Sequence, residues 1–304
     1  MSYLLQFGVV FAMVVFGCSK VTLQSFVSRG YVRNTSDSVL FNAQLFVFIA
    51  VVMSVLFPLG KLSWEGLFMA FFMGLFTVIF QTFYALALKS GPVSITVLIG
   101  NFALFFVTGF SVIAYRESVY LTQIFGIALL ILAMFLSVKK DANEKGISAK
   151  WIVYVALMTA SNAVSSIVMK IFAMEMSAAV ENSQNTFMVA SYAIAAVLAF
   201  FSYFIGAHTG RREGNTYGFF NRHVLLYAFA IGVVLSIYQK FYLLGLEKID
   251  GGFLFPTYSG MQSLGMTAIG IFLFKDKLSK RQIFGVVCGI SCVVLMNLRF
   301  MKLF

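Results

Sequence analysis

Long apolar runs broken by short polar stretches repeat along the whole chain. A helix that crosses a bilayer needs about 20 apolar residues. Ten windows of that kind fit: 3–27, 39–59, 65–88, 92–114, 119–138, 151–174, 183–206, 223–246, 252–274 and 280–299. The three prolines respect these boundaries. Pro58 closes one run, while Pro92 and Pro256 open or nearly open others, where a missing N–H is tolerated. The longest polar stretch is 207–222, too short for a separate soluble domain. The pattern predicts an all-α polytopic membrane protein with ten transmembrane helices.

The apolar pattern is also duplicated. One stretch opens on QTFY (Gln81 to Tyr84) and closes on QIFG (Gln123 to Gly126). Its second copy opens on QKFY (Gln239 to Tyr242) and closes on QIFG (Gln282 to Gly285), and the two differ in length by one residue. A basic-acidic pair precedes each QIFG, Arg116-Glu117 and Lys275-Asp276. Lys20 answers Lys170, and Asn42-Ala43-Gln44 answers Asn182-Ser183-Gln184. The polar segment Lys139 to Lys150 then separates a first five-helix repeat (1–138) from a second (151–304). An odd number of spans per repeat sets the copies upside down to each other. That is the inverted-repeat plan of secondary transporters, with a central site between the halves.

Composition removes the soluble alternatives. The chain is 61% hydrophobic and 11% charged, whereas soluble domains are about 45–50% apolar and about 25% charged. A net charge of +11 would suggest nucleic acid in a soluble protein. Here Lys and Arg gather in inter-helical segments, as the positive-inside bias requires beside anionic lipid, so no nucleic-acid partner is expected. That bias puts the 139–150 linker in the cytoplasm and both termini outside a cell membrane. No cleavable leader is expected, because the first apolar run lacks a basic lead-in. Cys18, Cys288 and Cys292 all fall in apolar runs without a His nearby, so neither a metal site nor a cofactor is expected. Gly285 and Gly289 form a GxxxG that serves packing within one chain or a homodimer seam.

The candidate chemistry is cationic. Lys20, Lys170 and Lys240 lie inside spans, and no Asp or Glu lies comparably deep. Such residues are costly in a bilayer and usually face the interior. Asn162, Ser166 and Lys170 form one stripe at i, i+4, i+8. Thr77, Gln81 and Tyr84 form another, and Lys20 has Gln24 one turn on. Asn101, Tyr258 and Gln262 could complete a substrate site. The competing readings are lysines that snorkel to the headgroups and polar side chains that join helices. Arg116-Glu117 and Lys275-Asp276 are expected to shape hairpins. Only His208 and His223 are present, and no triad, P-loop or metal spacing appears, so an enzyme is not expected.

Ten helices in two five-helix halves, Lys20 and Lys170 late in helices 1 and 6, and the FY-bearing helices 3 and 8 carry a resemblance. So do AYRESVYLTQIFG (114–126) and LFKDKLSKRQIFG (273–285). The chain resembles the drug/metabolite transporter superfamily, specifically its EamA-like members. It departs at Phe16-Gly17, where many relatives have Trp-Gly. The resemblance implies alternating access around a cavity lined by helices 1–4 and 6–9, with helices 5 and 10 packed outside. It implies amino acids, other metabolites, nucleotide sugars or drugs as cargo. Three unmatched lysines argue for an anionic or zwitterionic small metabolite, amino acids among them. The alternative is a non-transporting membrane scaffold or lipid-handling protein.

Overall fold

The computed structural model describes residues 3–90, 99–100, 102–117, 120–137, 149–176, 182–208, 216–272 and 280–297. Among them are ten α-helices and no strand. In chain order these are α1 (Tyr3–Gly30), α2 (Thr35–Leu56), α3 (Trp64–Ser90), α4 (Ala103–Tyr115) and α5 (Leu121–Ser137). Then follow α6 (Ala149–Ile171), α7 (Ser183–His208), α8 (Arg222–Lys248), α9 (Gly251–Phe272) and α10 (Lys280–Asn297). Each falls on one of the apolar windows. Hydrocarbon offers backbone groups no partner, so an apolar run of this length has to satisfy its own N–H and C=O groups as a helix. Among the described residues six helices are long and apolar enough to cross a membrane, and shorter apolar helices lie at Phe105–Tyr115 and Ile124–Ala133.

The packing maps onto itself when each helix is exchanged for the one five positions on. α3 lies on α6 as α8 lies on α1; α3 lies on α7 as α8 lies on α2; α4 lies on α6 as α9 lies on α1. α2 pairs with α7, α4 with α9 and α5 with α10. α9 also touches α10 and α5, with no comparable approach of α4 to α5 or α10 among the described residues. Two glycines explain the closeness of the central contacts. A Cβ on Gly74 in α3 would sit 2.7 Å from the Ser191 carbonyl of α7, and one on Gly232 in α8 would sit 3.0 Å from Phe48 Cβ of α2. Gly74 precedes Gln81 by the same spacing as Gly232 precedes Gln239.

α2 is the most enclosed span. Buried positions make up 67% of its apolar window, against 28% to 39% in the other five. Its ends, and those of α7, are tied down. At the start of α2 the carboxylate of Asp37, fully buried, accepts hydrogen bonds from Arg33 N (2.9 Å), Asn34 N (3.2 Å), Thr216 N (2.8 Å) and Thr216 Oγ1 (2.7 Å). Asn34 completes a capping box with it. Tyr217 donates to the Asp37 carbonyl, and burial, with the Asp37 carboxylate next, raises its phenol above the ordinary range. At the start of α7, Asn185 donates to the Pro58 carbonyl (2.8 Å), while Thr186 Oγ1 donates to the Gly60 carbonyl (2.8 Å) and accepts from Gly60 N (2.9 Å). Each loop that leaves α2 or α7 is thus pinned to the start of the other helix.

This register corrects one sequence pairing. Asp37 and Asn185 occupy equivalent places, each two residues into its helix, whereas Asn42 lies two turns inside α2 and Asn182 precedes α7. GxxxG in α10 serves packing within the chain: a Cβ on Gly289 would meet Leu264 at 3.3 Å and Ala133 at 3.9 Å. The linker 139–148, Asn101, Lys275 and Asp276 lie outside the described residues.

Candidate functional site

Two polar assemblies stand out against the apolar interior. The first lies where α4, α6 and α8 end and α9 begins. α4 closes on Arg116, whose left-handed φ of 50° turns the chain sharply. Glu117 is thereby turned inward. Its carboxylate meets Lys170 Nζ at 2.7 Å and accepts a short hydrogen bond from Gly251 N. Lys170 also donates to the Leu246 carbonyl at 2.9 Å and lies 5.9 Å from the Tyr115 ring centre. The two charged side chains are 1% and 9% exposed. The C-terminal carbonyls of α8 favour the ammonium here and the first N–H groups of α9 favour the carboxylate. α6 stops being an α-helix one residue after Lys170 and continues as a π-helical turn, Phe172–Met176. Such turns often mark functional positions. Tyr115 donates to Glu175 at 3.0 Å. A recess of about 320 Å³ borders the assembly, with Arg116, Met174, Glu247 and Asp250 among its walls.

The second assembly is a belt of tyrosines where α1, α6, α7, α8 and α9 meet. Tyr238 and Tyr242 stack at 5.8 Å, and Tyr238 also packs against the Tyr258 ring at 6.0 Å. Ser166 of α6 lies close to Tyr242. Gln239 donates to the Tyr192 hydroxyl, and its buried Oε1 has no partner among the described residues. Gly17 gives the belt room on the α1 side. A Cβ there would stand 2.9 Å from the Tyr258 hydroxyl, 3.3 Å from Gln262 Nε2 and 3.7 Å from the Tyr238 ring. Phe16 beside it stacks on Phe241 at 6.2 Å. Lys20 and Gln24 follow Gly17 at i+3 and i+7 on the same side of α1.

The structure therefore divides the expected site. Ser166, Tyr258 and Gln262 come together at the belt, with Lys20 one turn along α1. Lys20 is partly buried and makes no hydrogen bond or ion pair among the described residues. The expectation of three lysines unmatched by acids is corrected at Lys170, which Glu117 neutralises from across the chain. The acids Glu117 and Asp37 lie at helix ends, as expected, but the fold buries both. Arg116 and Glu117 do not form an interfacial pair, since Lys170 takes the carboxylate. Lys240 is held as well: its Nζ donates to Asn185 Oδ1 at 2.7 Å and lies 5.6 Å from the Phe57 ring centre, at the clamp on α7. Asn162 reaches the Gly100 carbonyl at 3.5 Å, where the chain enters α4. Thr77 contacts Ser165 at 3.2 Å, Gln81 is buried, and Tyr84 stacks on Phe80 at 5.8 Å, all along the α3–α6 contact. Tyr192 and Tyr238 were missed as candidates, whereas Gln239 stood out in the sequence only as a neighbour of Lys240. Aromatic residues at helical spacing read as packing, although Gln239 begins the second QxFY copy.

These features are those of a multi-pass membrane protein. Residues 6–139 match the EamA-like transporter family. A stretch of 68 residues is 35% identical to the multidrug resistance protein EbrA of Bacillus licheniformis, covering 22% of this chain. The chain spans 65% of the length of that curated relative. One solved crystal structure, described only as that of a protein, shares the fold with a TM-score of 0.72 at 15% identity over 97% of each chain. Residues 6–139 are thus similar to an EamA-like transporter unit.

Proposed function

We propose that this protein is a secondary transporter that moves small organic molecules by alternating access between two inverted five-helix halves. The observation that carries the reading is the tyrosine belt, which gathers polar groups at the junction of α1 with α6–α9 in an otherwise apolar interior. The exchange symmetry of the helix contacts and the EamA-like match over the first half support the two halves. Lys20 supplies a donor for a carboxylate, Gln239 Oε1 an acceptor for an ammonium or amide, and the stacked rings a flat apolar surface. That set suits a zwitterionic or anionic metabolite, such as an amino acid with an apolar side chain. With Lys170 and Lys240 engaged elsewhere, the preference for negative charge rests on Lys20 alone.

The test is a thermal-shift panel of amino acids and other zwitterions on purified protein, followed by counterflow of the best hit in liposomes. A ligand at 100 times its dissociation constant adds about 2.7 kcal/mol of stability. Substituting Gly17 by Val should abolish counterflow by driving a side chain into Tyr258. Absence of both stabilisation and counterflow across the panel would sink the reading. The name of the EbrA relative supports a second reading, export of drugs. Stabilisation by a lipophilic cation and by no zwitterion would favour it.

A further inference from the structure

We propose that Lys170, Glu117 and Gly251 form a releasable latch that shuts the end of the bundle where α4, α6 and α8 finish. On release, α4 parts from α6 and α9 while α2 and α7 stay joined as the pivot. The proposal deepens the transporter reading and rests on it, since it names which contacts open and which do not.

The argument begins with what holds each region. α2 and α7 are joined through their length and pinned at both ends by hydrogen bonds that cross between the halves. At one end Asp37 takes four donors with no exposure; at the other, Asn185 and Thr186 hold backbone groups of Pro58 and Gly60. Opening that seam would strand backbone carbonyls and a buried carboxylate together, each at the full desolvation penalty. Sliding the two halves apart along α2–α7 is therefore the expensive motion.

The latch is held differently. Among the described residues α4 packs mainly on α6 and α9, with Phe105 also reaching Leu130 of α5, a looser set of neighbours than α2 has. Its end is secured by the Lys170–Glu117 pair and the Gly251 N–H. A buried ion pair roughly breaks even, because the attraction is offset by lost hydration. On separation both ions regain water, and a recess of about 320 Å³ lined by Arg116, Glu117 and Lys170 gives it a route to them. Closed and open forms joined this way differ by little, which suits a two-state element. The π-helical turn after Lys170 supplies a segment outside regular α-helical bonding where α6 can adjust.

Labelling with a membrane-impermeant maleimide tests this without any substrate. Cys18, Cys288 and Cys292 are first replaced by Ala. One reporter is Ser111→Cys: Ser111 in α4 is fully buried, its hydroxyl has no partner among the described residues, and it lies where a Cβ on Gly251 would reach 2.9 Å. The other is Ser36→Cys at the start of α2, also buried. In nanodiscs, Glu117→Gln should raise labelling at Ser111→Cys about tenfold and leave Ser36→Cys within about twofold. If Glu117→Gln is not recovered folded, Gly251→Ala takes its place, since it wedges the latch with both charges kept. An unchanged rate at Ser111→Cys overturns the proposal. A parallel rise at both reporters also overturns it, because the whole fold has then loosened. A protein that labels as expected but moves no solute would instead refute the transporter reading and leave the latch standing.

Discussion

Lys20 and Lys170 answer each other in the two sequence repeats, yet their surroundings differ. Lys170 is fully buried, paired with Glu117 and bonded to the Leu246 carbonyl. Lys20 is partly buried and unengaged among the described residues, on a helix that runs on regularly to Gly30. The same residue type at the same repeat position thus does different work in the two halves. At α6 the ammonium joins Glu117 after α4 to the end of α8; at α1 it makes no such bond among the described residues. The lesson is that the charge of a membrane cavity cannot be counted from lysines in spans. It depends on which acids the fold delivers, and Glu117 arrives from the turn after α4.

The largest test of this contrast is truncation of each lysine. Lys170→Ala strands Glu117 as a buried charge without its partner, which costs about 3–5 kcal/mol. Denaturant or thermal unfolding in detergent should register that loss, and the paired variant Lys170→Met with Glu117→Gln should recover much of it. Lys20→Ala should change stability by less than about 0.5 kcal/mol. Equal losses at the two positions would erase the distinction.

The clamp at Asp37 offers a second, neutral comparison with the latch. Removing a helix cap costs about 0.5–2 kcal/mol, and Asp37 also holds Thr216 through two hydrogen bonds. Asp37→Ala is expected to lower stability by about 2 kcal/mol. The 216–221 segment should then become a site of limited proteolysis. A resistant segment in that variant would mean the pinning of the two loops is incidental.

How far the sequence could go is clear from these residues. Each apolar window holds a described helix, and six of these are long and apolar enough to span, because the bilayer leaves a span no other way to satisfy its backbone. The belt was partly readable, through Tyr258, Gln262 and Ser166 at helical spacing. Glu117 was not: a charged residue beside Arg116 at a hairpin reads as a surface turn, and its partner lies 53 residues away across the fold. Only the left-handed turn at Arg116 and the docking of α4 on α6 bring the two together. Gly74 and Gly232 carried an unused signal, their identical spacing to the repeated Gln. It went unread because a glycine in an apolar run has many explanations until a facing helix is known.

The role left to Lys20 predicts a smaller, functional effect. Lys20→Gln keeps a donor of similar length and removes the charge. Once a solute is identified, its kcat/KM in counterflow should fall about tenfold, equivalent to about 1.4 kcal/mol. A fall for a zwitterionic solute with no change for a neutral analogue would place the charge at the carboxylate. Equal falls for both would assign Lys20 to the architecture of α1, and the contrast with Lys170 would then be one of degree.

The smallest effect concerns the contact of α3 with α6, the counterpart of α8 on α1. Thr77 Oγ1 and Ser165 Oγ lie 3.2 Å apart, a single hydroxyl pair between helices that already interlock. Side-chain hydrogen bonds between membrane helices average about 0.6 kcal/mol, because the separated helices find other partners. Thr77→Val keeps the shape and removes the bond, so a loss of about that size is expected in unfolding from detergent. A loss several times larger would mean that Ser165 is left without any acceptor, and that the α3–α6 seam is as specifically bonded as the latch. A loss near zero would leave close packing, not this hydroxyl pair, as what holds that seam.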